Sequence, residues 1–196
     1  MALNKLPNNI IEKYEVHEFR HAIAILQHDF ENEYNDIINV LNSFSLKKSA
    51  ILTPGGRKSP IADHFDLYLY SKDWKEHDFD TKIIVDEEEK HTPTHKIDCY
   101  KNRIALDVEW NNKDPFYDRD LNNFRLLYER DAISVAVIIT RCSELQEIFK
   151  SLDKGSSYGA STTHMSKLLP RIQGGSGGGC PILVFGISDK LYDPNS

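Results

Sequence analysis

The sequence predicts an α/β protein with a mixed central β-sheet flanked by helices, and three observations lead there. Ile133–Thr140 (Ile-Ser-Val-Ala-Val-Ile-Ile-Thr) is β-branched and nearly all apolar, the pattern of a strand covered on both faces. Ile182–Ile187 has the same character near the end of the chain. Lys96–Tyr100 and Arg103–Trp110 are two strand candidates joined closely enough, at Lys101–Asn102, to form a hairpin. Segments with apolar residues at helical spacing separate these strands. The order hairpin, helix, strand, helices, strand describes a sheet of mixed direction.

The elements follow in chain order. Tyr14 to Leu26 reads two ways, because Tyr14, Val16 and Phe19 fit a short strand while Ala22, Ile23 and Leu26 fit a helix. Residues 29–43 place Phe30, Tyr34, Ile37, Ile38 and Leu41 on one helical face, with Asp29 as the expected N-cap. Thr53–Gly56 is a turn, and Ser59–Pro60 then reads as N-cap and first residue of a helix through Tyr70. Residues 78–95, with the acidic run Asp86–Glu89, are a loop or an exposed hairpin. Phe116 to Arg130 is a helix, and Ser143–Leu152 and Thr162–Ile172 are shorter ones. Gly174–Gly179 holds five glycines in six residues and reads as a flexible loop from helix to strand. No Gly-Lys-Ser/Thr follows it, so it is not a phosphate cradle.

Composition sets the class. At about 150 residues per domain, 196 residues make one domain, spanning residues 1–196, with no repeat and no long linker. Hydrophobic residues at 40% and charged residues at 28% exclude wholesale disorder. No apolar run reaches the ~18 residues of a membrane span, so no membrane partner is expected. The N-terminus lacks a secretory signal, and Cys99, Cys142 and Cys180 are an odd set best read as reduced thiols. A cytoplasmic location is the expectation. Net charge is -6, which argues against a nucleic-acid binder, but the excess is local. Residues 1–98 hold 18 acidic against 12 basic side chains, and residues 99–196 hold 12 of each. Carboxylates kept to hold a cation would also make the formal count overstate the field a substrate meets.

The informative stretch is Ile97-Asp98-Cys99-Tyr100-Lys101-Asn102-Arg103-Ile104-Ala105-Leu106-Asp107-Val108-Glu109-Trp110. On its second strand Ile104, Leu106 and Val108 point one way, and Ala105, Asp107 and Glu109 the other. Asp107 and Glu109 lie about 7 Å apart along the strand. A hairpin turn brings Asp98 near them. Three converging acids repel one another unless a divalent cation neutralises them, and an all-oxygen set suits Mg²⁺. The competing explanation is a solvated face on an edge strand, which would carry the same pattern without any ion.

These residues resemble a family. Asp98, an acid nine positions on at Asp107, and Glu109 two further, on a hairpin followed by a helix and a buried strand, resemble the PD-(D/E)xK nuclease core. More narrowly they resemble the BglII/BstYI-like group of type II restriction endonucleases, which have Glu-Val-Gln where this chain has Asp107-Val108-Glu109. The similarity extends through Asn111–Asn112, Pro115–Phe116, Ala136–Thr140 and Ser156-Ser157-Tyr158, and back to Asp73-Trp74-Lys75 and Tyr14. It implies a restriction-endonuclease-like fold and Mg²⁺-dependent cleavage of double-stranded DNA at a short palindrome. It further implies a homodimer and a cognate DNA methyltransferase in the same system, without a stable complex. By resemblance Asp98, Asp107 and the Val108 carbonyl are metal ligands. Glu109, similar to the glutamate of BamHI-like enzymes, is a general base or a ligand of a second metal. His77 stands roughly where the family has a fourth active-site residue. Asn111, Asn112, Lys113, Ser157 and Arg119 become candidates for DNA contacts, since amides and hydroxyls read base edges and cations hold phosphates. Lys113, Arg119 and Arg125 are basic residues that follow the catalytic strand and could supply phosphate contacts.

Two other readings compete. His17-Glu18-Phe19-Arg20-His21 fits His-Glu-x-x-His, the motif of zinc metallopeptidases, which requires a helix that presents both imidazoles on one face. His91 and His95 flank Thr-Pro-Thr and read as loop. A non-catalytic DNA-binding module on a degenerate nuclease fold is the remaining alternative.

Overall fold

The computed structural model describes residues 3–54, 58–92 and 94–196. The chain enters through α1 (Asn8–Lys13) and β1 (Tyr14–Phe19), then turns into α2 (Ala22–Asp29) and α3 (Glu31–Ser43). The segment with two readings is therefore both, strand first and helix second. Arg20 and His21, at φ 54° and 61°, make the corner between them. Asp29 is not the N-cap of the next helix. It closes α2, and Phe30 (φ -137°, ψ 47°) is the hinge to α3, because Ala22, Ile23 and Leu26 carry an apolar face that extends the first helix to residue 29.

Next come β2 (Leu46–Lys47), α4 (Lys48–Leu52) and α5 (Pro60–Tyr70). Helix α5 starts as its residues dictate: the Ser59 hydroxyl accepts from the Ala62 N–H at 3.1 Å, and Pro60 takes the first turn. Gly55 and Gly56 of the expected turn lie outside the described residues, as does Pro93. Beyond β3 (Lys75–His77), residues 78–95 contain the exposed hairpin β4 (Thr81–Val85) and β5 (Glu88–Thr92). Asp86 and Glu87 form its turn with positive φ, and His91 belongs to β5 rather than to a loop.

The second half holds β6 (Ile97–Lys101), β7 (Ile104–Glu109), α6 (Phe116–Tyr128), β8 (Val135–Arg141), α7 (Leu145–Ser151), α8 (Met165–Gln173), β9 (Ile182–Ile187) and β10 (Tyr192–Asp193). The β6–β7 turn is Asn102–Arg103, at φ 45° and 70°, one residue later than expected. Two positive-φ residues make the tight turn whose twist suits a hairpin, and asparagine tolerates that conformation well. Six strands form one sheet in the order β1-β9-β8-β7-β6-β3. Strands β7, β8 and β9 are mutually parallel, and β1, β6 and β3 run antiparallel to their neighbours, so the sheet is mixed as predicted.

Alternate residues of β7, β8 and β9 feed two cores. Leu106, Val108, Val137, Ile139, Leu183 and Phe185 pack with Ile23, Leu26, Leu41, Phe65 and Phe149 on one face. Ala105, Ala136, Ile138, Ile182 and Val184 pack with Tyr117, Leu121, Phe124, Leu168 and Ile172 on the other. Helices thus cover both faces, which makes the β-branched runs of β8 and β9 necessary. Among the described residues no helix is long and apolar enough to cross a membrane. The three cysteines are buried and free.

Candidate active site

Every residue of β7 is buried, and the strand lies between β6 and β8. The solvated-edge explanation for Asp107 and Glu109 is therefore wrong: their exposures are 4% and 3%. The regular β6–β7 pairing runs from Lys101↔Ile104 to Cys99↔Leu106. Beyond it, side chains take over from backbone carbonyls. The Asp98 N–H donates to Asp107 Oδ1 at 2.9 Å, and the Val108 N–H donates to Asp98 Oδ2 at 3.0 Å. This exchange holds two carboxylates facing each other, and each keeps an oxygen that no hydrogen bond among the described residues engages. The location is the carboxyl end of β7 and β8, where parallel strands of an open sheet present their crevice.

Glu109 ends β7. Its Oε2 accepts from Asn112 Nδ2 at 2.9 Å, and its Oε1 lies 3.6 Å from the Arg119 guanidinium. Helix α6 brings Asp120, at 2% exposure, against the Glu109 carboxyl. Burial pushes all four acids up, and their mutual repulsion adds to the effect. Glu109 is pushed up to about 9, first by desolvation and then by Asp120. Asp107 is raised well above the usual carboxylate range by burial and by the charges of Asp120 and Asp98. Asp98 and Asp120 are raised mainly by burial. Arg119 and the charge of Lys58 face four carboxyls, so the site is short of positive charge, and the Asp120 carboxyl meets that of Glu109. That deficit, on oxygen donors alone, fits a hard divalent cation.

A cleft of about 740 Å³ opens beside the carboxylates and is lined by Lys58, Asp98, Val108, Asn111, Asn112, Lys154 and Ser157. The structure thus brings Asp98, Val108, Asn111, Asn112 and Ser157 to one opening. Asn111 sits at φ 61° with Oδ1 buried and without a partner, while Ser157 and Lys113 are exposed. Asn112 is anchored on both sides of its peptide, its N–H to Thr163 Oγ1 at 3.1 Å and its carbonyl accepting from the Thr163 N–H at 2.8 Å.

Two of the candidate residues have other partners in this structure. Arg119 donates to Asp120 Oδ1 at 2.8 Å, stacks 4.2 Å from the Phe116 ring, and serves as counter-charge to the acids. His77 makes no hydrogen bond or ion pair with the carboxylates; its ring stacks on Tyr100 at 5.0 Å and meets Phe79 edge-on at 4.3 Å. The neighbouring Glu76 carries a charge that reaches Asp98, and its carboxylate pairs with Lys96 at 2.8 Å.

Asp120 is a site residue beyond those expected from the sequence. It lies on the inward stripe of α6 with Tyr117, Leu121 and Phe124, and an acid on an apolar stripe was a signal available in the sequence.

The metallopeptidase reading fails on geometry. His17 is on β1 with Nε2 2.7 Å from Glu15 Oε1, and His21 lies beyond the corner, so no helix aligns the two. Glu18 accepts from the Ile23 N–H at 3.1 Å, at the start of α2.

No curated protein matches the sequence. A family model does, that of restriction endonuclease BglII/BglIII, over residues 14–187, from the first residue of β1 to the last of β9. The match takes in the whole six-stranded sheet and the buried carboxylates at its centre, and the chain belongs to this family of sequence-specific, divalent-metal-dependent type II endonucleases.

Proposed function

We propose that the chain cuts both strands of double-stranded DNA at a short palindromic sequence, as a homodimer with Mg²⁺ as its metal. A two-fold pair of subunits would present one site to each strand. A methyltransferase of the same system would protect host DNA without binding this protein stably. The observation that carries the reading is the exchange of backbone N–H groups between Asp98 and Asp107 at the carboxyl end of a buried strand.

In this reading the Asp98 and Asp107 carboxylates, with the Val108 carbonyl, hold the cation. When bound, the cation supplies electrostatic stabilisation of the charge developing on the scissile phosphate and lowers the pKa of the attacking water. Glu109 accepts the proton of that water, and its Oε2 is oriented for this by Asn112. Arg119 holds Glu109 and Asp120 in place. Asn111, Asn112 and Ser157, on the cleft wall, meet base edges, and Lys154 on that wall and the exposed Lys113 meet phosphates. Residues 1–196 act as one catalytic domain, a reading supported by the six-stranded sheet whose strands run from residue 14 to residue 187.

The test is incubation with plasmid DNA and Mg²⁺, followed by sequencing of fragment ends. One recurrent palindrome at the ends, lost with EDTA and with Asp107→Ala, is expected. Random ends, single-strand nicking by a strict monomer, or DNA binding without any cleavage would overturn the reading, the last in favour of a non-catalytic module.

A further inference from the structure

We propose that Lys58 is a catalytic residue, whose ammonium, seated on the buried Asp66, contacts the scissile phosphate from the cleft wall it shares with Asp98. The inference rests on the endonuclease reading and deepens it with a residue from outside the hairpin.

The first argument is how the side chain is held. Lys58 stands just before the Ser59 cap of α5. Its Nζ pairs with Asp66 Oδ2, lies 3.9 Å from Asp63 Oδ1, and sits 5.8 Å from the centre of the Tyr70 ring. Asp63, Asp66 and Tyr70 are three and four residues apart, so they share one face of the helix. That face docks on the catalytic hairpin. Asp66, at 1% exposure, accepts from the Cys99 thiol at 3.5 Å through its other oxygen, and the Tyr70 hydroxyl donates to the Asp98 carbonyl at 3.0 Å. Helix α5 thus fixes an ammonium beside Asp98.

The second argument is where the charge points. Arg119 is engaged by Glu109, Asp120 and the Phe116 ring, whereas Lys58 lines the cleft together with Asp98 and Val108. The Lys58 charge lowers the Asp98 carboxyl more than the Arg119 charge does. Strand β7 itself has no basic residue. Asp66 occupies one of the three ammonium donors, and Asp63 at 3.9 Å is beyond hydrogen-bond reach. With 47% of the side chain exposed, a phosphate that approaches Asp98 through the cleft meets these N–H groups.

The third argument is that stability does not account for the pair. Asp66 shares the inward side of α5 with Ile61, Phe65 and Leu69, where an apolar residue would pack. Ion pairs with a buried member add little over apolar residues of the same volume. What the acid does provide is a fixed position for a long, flexible side chain, so that its charge is in place before charge develops on the phosphate. Lys58 gives up no proton in this role. It stays an ammonium and donates to a non-bridging phosphate oxygen.

The experiment compares the wild type, Lys58→Met and the double variant Lys58→Met/Asp66→Asn on a duplex carrying the site found by sequencing fragment ends. Lys58→Met alone strands the Asp66 charge and should lower the melting temperature. Asp66→Asn removes that charge and can still accept from the Cys99 thiol, so the double variant should regain most of the loss. The single-turnover cleavage rate in Mg²⁺ at saturating enzyme should nevertheless fall at least about 10²-fold in both variants, the scale for removing one charge-stabilising donor. Binding of the same duplex in Ca²⁺ should show a salt-dependence slope lower by about one in both. A double variant that cuts at the wild-type rate would mean that Lys58 only neutralises Asp66, and would overturn the inference while the endonuclease reading stands. A lowered rate with an unchanged slope would also overturn it, because the ammonium would then meet no phosphate. A wild type that cuts no DNA in Mg²⁺ would overturn both.

Discussion

Replacing Glu109 by glutamine should make the metal-free protein more stable and the enzyme slower. The Glu109 carboxyl has an ordinary value of 4.5 and is pushed up to about 9 in the fold. A carboxyl raised by folding stabilises the folded state fully only below its unfolded value, and that contribution is lost as pH rises through the folded one. The metal-free wild type should therefore lose stability between about pH 4.5 and pH 9. At pH 8 the group would cost up to about 5 kcal/mol, from roughly 3.5 pH units at 1.36 kcal/mol each. The variant also loses the Arg119 contact, and Asp120 keeps its own burial penalty, so about half of that, ~2–3 kcal/mol, is a fair expectation. Glutamine can keep the Asn112 hydrogen bond through its carbonyl and donate from its amide to Asp120. For a chain of this size the gain is roughly 5–10 °C in Tm. Thermal unfolding in EDTA at pH 5 and at pH 8 reads it directly: a small difference at pH 5 and the full gain at pH 8. DNA cleavage should fall by at least about 10²-fold in parallel. Equal stability of the two proteins at pH 8, or the same gain at both pH values, would refute the assignment of Glu109 as a strained buried acid.

Three further outcomes are expected. Asp107→Ala should abolish cleavage, and EDTA should do the same to the wild type until Mg²⁺ or Mn²⁺ is restored, whereas Ca²⁺ should permit binding with little cutting; undiminished cleavage in EDTA in a fragment-release assay would refute the metal dependence. Asn112→Ala should weaken binding to the cognate site by about 1–3 kcal/mol while barely changing non-specific affinity, measured by competition in Ca²⁺; an equal loss on both kinds of DNA would remove Asn112 from base reading. Lys113→Ala and Lys154→Ala should each reduce affinity for all sequences and lower the salt-dependence slope by about one, in titrations over a range of salt; an unchanged slope would show that the side chain meets no phosphate.

The central strands were legible because strand patterns are local. Ile133–Thr140 and Ile182–Ile187 contain the requirement for cover on both faces in their own composition, and β8 and β9 lie within one or two residues of those bounds. Ser59–Pro60 was legible for the same reason, since a cap and its target N–H are three residues apart. Asp98, Asp107 and Glu109 could be placed together from the hairpin alone, and a one-residue error in the turn did not separate them. The errors lie where a decision depends on a partner distant in sequence. Asp29 looked like a cap until the apolar face of α2 claimed it. Arg119 looked free for DNA because the acids it faces, Glu109 ten residues earlier and Asp120 beside it, converge on it only when α6 packs against β7. His77 stacks on Tyr100 because its direction is set by a three-residue strand whose shifted register against β6 no local pattern specifies. The sequence by itself thus determined the sheet, its central strands and the acidic pair, all set by side-chain periodicity within a few residues. Tertiary packing alone decided that the acids are buried rather than solvated, and that a fourth joins them from α6. Desolvation depends on what covers a group, and the cover here comes from elements tens of residues away along the chain.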